Sequence, residues 1–123
     1  MSARIVATGR AITVDRIRGI GTEPLHVGWG TGTVAPTDGD TALGTAAPEA
    51  RVAGTPSIAT VTTANDTYRV VATIAAAAAR AITEVASFDA SAAGRLYIRA
   101  TFPVINVGVG ESIQFIINGQ YLA

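Results

Sequence analysis

The 123-residue chain contains no cysteine, which excludes disulfide staples, thiolate metal sites and cysteine nucleophiles. Lysine is absent as well. All nine basic residues are arginine and nine acids balance them, which argues against a nucleic-acid partner held by bulk charge. His26 is the sole histidine, so a zinc site would need carboxylates for every other ligand, and no Ser-His-Asp triad can be argued from it alone. Long apolar runs are missing too. The most apolar stretch, Val70 to Ala79, stops at Arg80, about half the length a bilayer-spanning helix needs, and no membrane partner is expected. Near the start, Arg4, Thr8 and Arg10 interrupt any apolar segment, so no secretory leader is expected there.

What the chain does have is small apolar side chains. Hydrophobic residues make up 49% and charged residues 15%, with 24 alanines and 13 glycines. A chain of this mass folds as one domain, exposing roughly 6,000 Å² of the roughly 18,000 Å² of its extended form. So apolar a composition in so small a chain implies surface hidden against copies of itself or against a partner. Arginine's planar fork suits such contacts better than a mobile ammonium.

Along the chain, residues 1–20 read as an extended arm followed by a short helix over Ala11 to Arg18, with Ile12, Val14, Ile17 and Ile20 on one face and Gly19 closing it, while the β-branched content also allows an extended reading of Arg4 to Val14. Residues 21–123 read as a single β domain. Leu25 to Gly30 is a short strand carrying the only tryptophan, and the glycines beside Trp29 imply close backbone approach. Further strands are expected from Glu49 to Ala53, Ser57 to Thr63, Tyr68 to Ile74, Ala81 to Phe88, Arg95 to Phe102 and Ser112 to Ile117. Ile82 and Val85 break strict alternation, which leaves a bulge or a two-sided strand open. Leu96, Ile98, Ala100 and Phe102 alternate with Arg95, Tyr97, Arg99 and Thr101, and Pro103 weakens the ladder beyond them. Alanine propensity favours helix for Ala75 to Ala79, but five residues between β-branched segments read better as a loop, with one helical turn as the alternative. About six to eight short antiparallel strands at this spacing define an all-β sandwich or barrel.

Chemistry-bearing constellations are weak. Asp38 and Asp40 lack the further acids of a calcium loop and read as a turn. Glu84 and Asp89 have no sugar platform beside them. The Gly28-Trp29-Gly30-Thr31-Gly32 run lacks the lysine of a phosphate-binding loop. Arg95, Tyr97 and Arg99 could stack on bases, but read better as a solvated or subunit-facing surface. No catalytic, cofactor-binding or metal-binding residue is assigned.

The succession Val27-Gly28-Trp29-Gly30-Thr31-Gly32, Asp40-Thr41-Ala42-Leu43 and Glu49-Ala50-Arg51-Val52 resembles a family of small tailed-bacteriophage virion proteins. Asn65-Asp66-Thr67, Ile82 to Ala90, Ala93-Gly94-Arg95-Leu96, Arg99, Phe102 and Gly110 to Phe115 continue the resemblance, which covers Gly21 to Ile117. Ala86 stands where glycine is usual and Glu111 where aspartate is common; neither alters a chemical group. The resemblance implies a non-enzymatic capsid decoration (cement) protein with a jelly-roll-like fold. It would bind the major capsid protein on the outer surface of the head as a homotrimer. Arg4, Arg10, Arg16 and Arg18 of the arm would then pair with acidic shell residues, and Tyr97, Arg99 and Thr101 would lie at a subunit interface. The competing readings are a tail- or fibre-associated adhesion module and a carbohydrate-binding β-sandwich with Trp29 and Tyr97 as stacking platforms.

Overall fold

In the computed structural model residues 1–122 are described, and they form an all-β sandwich with one helix. The strands are β1 (Ser2–Ile5), β2 (His26–Gly30), β3 (Val52–Ala53), β4 (Thr55–Ala59), β5 (Thr67–Ala75), β6 (Arg80–Phe88), β7 (Leu96–Val107) and β8 (Ser112–Gln120); helix α1 spans Ala7–Ile17. A five-stranded sheet in the order β1-β7-β6-β2-β3 faces a three-stranded sheet in the order β4-β5-β8, and every pairing is antiparallel. Both sheets are open, so of the two expected architectures the sandwich holds and the closed barrel does not.

Three connections cross between the sheets. The β3–β4 stretch changes sheet at Gly54, where a Cβ would strike Val70 and come within 3.0 Å of the Val71 carbonyl. The alanine run is the β5–β6 crossover, a loop as expected, and it lies against the β7–β8 turn through the Ala76 N–H to Glu111 carbonyl and Gly110 N–H to Ala76 carbonyl bonds of 2.8 and 2.9 Å. The main core fills the space between the sheets with Val27, Trp29, Val70, Ile74, Ile82, Tyr97, Ile98, Phe115 and Ile117. Trp29 meets Phe115 edge-on, with ring centroids 6.3 Å apart. A smaller cluster of Val6, Ala86, Phe88 and Leu96 lies on the outer face of the larger sheet, roofed by the loop that carries Leu43. The accessible surface is 6467 Å², close to the roughly 6,000 Å² that scaling predicts.

The N-terminal segment is an extended stretch followed by a helix, as expected, and it is docked on the domain. Residues 2–5 pair with Ile98 to Thr101 of β7 as an edge strand. The helix begins at Ala7, ahead of the expected Ala11, and packs on β7 because Gly9 offers no Cβ to meet the Tyr97 carbonyl. Only Ile12 of the anticipated apolar face is buried; Val14, Ile17 and Ile20 remain exposed. Gly19, at φ +83°, ends the element as expected.

Strand β7 departs twice from regular pairing. Phe88 pairs with Leu96 while Ser87 pairs with Ile98, so Tyr97 is an extra residue. That bulge turns Leu96 to the roofed outer face and puts Tyr97 beside Ile98 in the central core. The second irregularity lies between Ile82 and Glu84, where the alternation of β6 was expected to break, and Pro103 falls opposite it. A missing amide donor costs little there, so β7 runs on to Val107 instead of ending near Phe102.

Candidate interaction surface

The β7 trio proposed for a subunit interface is mostly internal. Tyr97 is 2% exposed and Arg99 3% exposed, and only Thr101 reaches partly to the surface. Arg99 lies over Ala86 on the roofed face. Its Nε donates to Glu84 Oε1 at 3.0 Å, its Nη2 sits 2.9 Å from the same oxygen in ionic contact, and its Nη1 donates to Asp40 Oδ2 at 3.0 Å. Glu84, fully buried, accepts three further bonds from the backbone amides of Gly32, Gly44 and Thr45 at 2.7–2.8 Å. Burial opposes ionisation of Glu84, yet the three amides and Arg99 outweigh it and hold its carboxyl below the usual range. Glu84 and Arg99 therefore form a buried pin that fastens the loop between β2 and β3 across the sheet. Neither is a docking residue, and Glu84 has no unoccupied geometry for acid–base work. Asp89 is likewise engaged, accepting from the Arg95 amide and its Nε at 2.6 and 3.1 Å.

Tyr97 is equally occupied. The Thr13 hydroxyl donates to the Gly9 carbonyl at 3.1 Å, so its oxygen accepts from the Tyr121 hydroxyl at 2.6 Å, and Tyr121 in turn accepts from Tyr97 at 2.7 Å. This chain of hydroxyls runs from the core to α1 and ties the C-terminal end of β8 to the helix. Burial and the hydrogen bond to Tyr121 push the Tyr97 phenol well above its ordinary value. Trp29 is 1% exposed and its indole donates to Glu49 Oε1 at 2.9 Å. Neither aromatic is available as a sugar platform, which removes the observation that would favour a carbohydrate-binding sandwich.

The four arginines of the N-terminal segment divide into two pairs. Arg4 and Arg10 both address Asp38, with Arg10 making two bonds of 2.7 and 2.8 Å and Arg4 standing 3.6 Å away. The predicted turn at Asp38-Gly39-Asp40 thus supplies both the acid for these arginines and, through Asp40, the second partner of Arg99. Arg16 donates to the Gly21 carbonyl at 2.9 Å, and no carboxylate among the described residues pairs with Arg16 or Arg18. Both are exposed at the C-terminal end of α1, where Arg16 lies one turn beyond Ile12 and Arg18 caps the helix, and Val14 and Ile17 are exposed too, the latter 82%.

A second surface lies at the flank where the sandwich is open. There β1 and β8 are unpaired edges, and between them runs an apolar cleft of about 490 Å³ with Ala3, Ala100, Phe102 and Phe115 among its walls. No local motif marks this cleft, because its walls come from chain segments about a hundred residues apart; the one signal was the excess of apolar composition. Among the described residues no three His, Cys, Asp or Glu side chains gather as a metal site, and no helix is long and apolar enough to cross a membrane.

Comparison with known proteins finds no family model that matches the chain, and no curated protein or solved structure matches it either. Fold and surface together define a small open-sided β-sandwich with its buried charges engaged internally. Among the described residues, exposed surface without an internal partner includes the basic and apolar C-terminal end of α1 and a sheet flank whose side chains carry no charge.

Proposed function

We propose that this chain is a non-enzymatic structural protein of a tailed-phage particle, a decoration protein that binds the major capsid protein on the outside of the head as a homo-oligomer. The observation that carries the reading is how the chain uses its charge. The buried carboxylates Glu84 and Glu49 are saturated by arginine, indole and backbone donors, while unpaired arginine and exposed β-branched side chains stand outside. Such an allocation suits a molecule that works by burying surface. The ordered resemblance to small virion proteins supplies the setting. Binding only to the assembled shell stabilises that shell by mass action, and it requires shape and area more than reactive groups.

Within this reading the shell-facing element is α1. Arg16 and Arg18 pair with acidic shell residues, and Val14 and Ile17 supply apolar area; Arg4 and Arg10, which already face Asp38, are given no shell contact in this reading. Quantitative mass spectrometry of purified virions tests the proposal. A copy number comparable to the major capsid subunit is expected. A handful of copies per particle would move the chain to the tail or a vertex, and its absence from particles would end the reading. Arg16→Ala with Arg18→Ala should leave the fold intact and weaken attachment to shells about tenfold or more, the order expected for losing interface ion pairs. Pelleting with shells reads the loss, and undiminished attachment would remove α1 from the contact.

A further inference from the structure

The sandwich has four edge strands, and three of them carry a feature that discourages further pairing. Strand β3 is two residues long, β4 contains Pro56, and β1 is four residues long with Arg4 in it. Strand β8 has none of these protections. It runs nine residues, Ser-Ile-Gln-Phe-Ile-Ile-Asn-Gly-Gln, with no charge and no proline, and its pairing with β5 is unbroken from Ser112 to Gln120. Soluble proteins blunt such an edge unless something covers it. Beside it lies the cleft of about 490 Å³, lined without a single ionisable side chain. Exposed apolar residues extend the patch: Ile116 on β8 is 59% exposed and Val104 on β7 is 53% exposed.

We infer that this flank is a self-association surface on which β8 of one copy pairs antiparallel with β8 of a second copy about a two-fold axis at Ile116. The occupant follows from the edge's own sequence. With Ile116 set opposite Ile116, Gln114 falls opposite Asn118 and Phe115 opposite Ile117, and by symmetry each pair occurs twice. Amide meets amide on the outward side, and an aromatic meets a β-branched side chain on the inward side. Both are favourable cross-strand pairings. No charge is brought against a like charge, and no acidic or basic partner is selected by a β8 edge and a cleft whose side chains carry neither sign. The same operation gains less at the other edges, where Pro56 has no amide to donate and β1 and β3 offer only four and two residues. An isologous contact of this kind closes on itself as a two-stranded union of the three-stranded sheets. Phe115 and Ile117 of the added strand then face the side on which the cleft lies.

This inference gives the homo-oligomer of the proposed function its contact, and sets the copy number at two where the resemblance implies three. It does not depend on attachment to a shell. Sedimentation equilibrium of the purified full chain tests it. The expected mass is twice the 12.5 kDa of the chain. Ile116→Lys, which sets two ammonium groups opposite each other, should weaken association about a hundredfold, while Ile58→Lys on the exposed face of β4 should leave the mass unchanged. Amide hydrogen exchange of the wild type supplies an independent reading, with β8 amides gaining protection as concentration rises and β4 amides not. A monomer at every concentration, a trimer, an Ile116→Lys variant that keeps the dimer mass, or β8 amides whose exchange is indifferent to concentration would each overturn it. A monomer that still decorates shells sinks this contact alone; a dimer absent from virions sinks only the capsid reading.

Discussion

Glu84 and Arg99 are two charges taken out of water together, and the consequence of removing either follows from that. With Glu84 neutralised, the guanidinium 3% exposed to solvent keeps only Asp40 as an ionic partner, and three loop amides lose a charged acceptor. Glu84→Gln should therefore destabilise the fold by about 3–5 kcal/mol, the range for breaking a buried pair from one side. Arg99→Met should cost much less in that background than in the wild type, a coupling that urea denaturation of the four proteins measures. Glu49 makes a pH prediction. Burial disfavours its charge, but Arg80, the Trp29 indole and the Ala77 amide hold its carboxyl at about 2 against an ordinary 4.5. A depressed folded-state value stabilises the native state fully above about pH 4.5, and that stability is lost as pH falls towards 2. Wild-type urea midpoints should accordingly drop more steeply over that interval than those of Glu49→Gln; parallel profiles would remove Glu49 as a linkage group. Neither role was visible in the sequence. Glu84 looked like a weak half of a carboxylate pair because its partners are amides of a glycine-rich loop, and amides leave no compositional mark.

Strands declared themselves through β-branched runs and turn residues, so most of β2 to β8 could be read from the chain, as could the loop over 76–79 and a break in the alternation of β6. The bulge at Tyr97 could not. Strict alternation of Arg95 to Phe102 is the better local pattern, and only the pairing of Phe88 with Leu96 inserts the extra residue. The extended-then-helical order of the N-terminal segment could be read, but not its docking, because four residues of β1 and the Gly9 face of α1 find their partners some ninety positions away on β7. Gly9→Ala sets two effects against each other. Alanine favours the helix by about 1 kcal/mol over glycine, but its methyl would be driven into the Tyr97 carbonyl, and overpacking of that kind costs about 1–3 kcal/mol or more. Contact with backbone, which cannot rotate aside, should win, and the variant should unfold at lower urea; a more stable variant would show that α1 does not rest on β7. Deleting residues 1–18 should likewise unfold the domain instead of trimming an arm, since Val6 and Ile12 leave the core with it. Far-ultraviolet circular dichroism and Trp29 emission would read that loss together.

The whole molecule is a sandwich closed on one side by the β3–β4 crossover, packed at one end by the two sheet-to-sheet connections, capped at the other by α1, and open on a single flank. Its net charge is zero, yet the two outward surfaces differ in kind: the helix face offers Arg16 and Arg18, while the flank offers only backbone and apolar or amide side chains. Screening should separate them. Raising salt from about 0.1 M to about 1 M shortens the Debye length from roughly 10 Å to roughly 3 Å, which weakens exposed arginine–carboxylate contacts and leaves strand pairing and apolar burial nearly untouched. Attachment to shells should therefore fall over this range, while association between copies should hold or tighten. Pelleting assays and sedimentation on the same preparation make the comparison direct. Dimers that dissociate in salt would mean that charge bridges the copies, which an uncharged β8 edge does not permit. Attachment that ignores salt would leave Val14 and Ile17, not the arginines, as the groups that grip the shell.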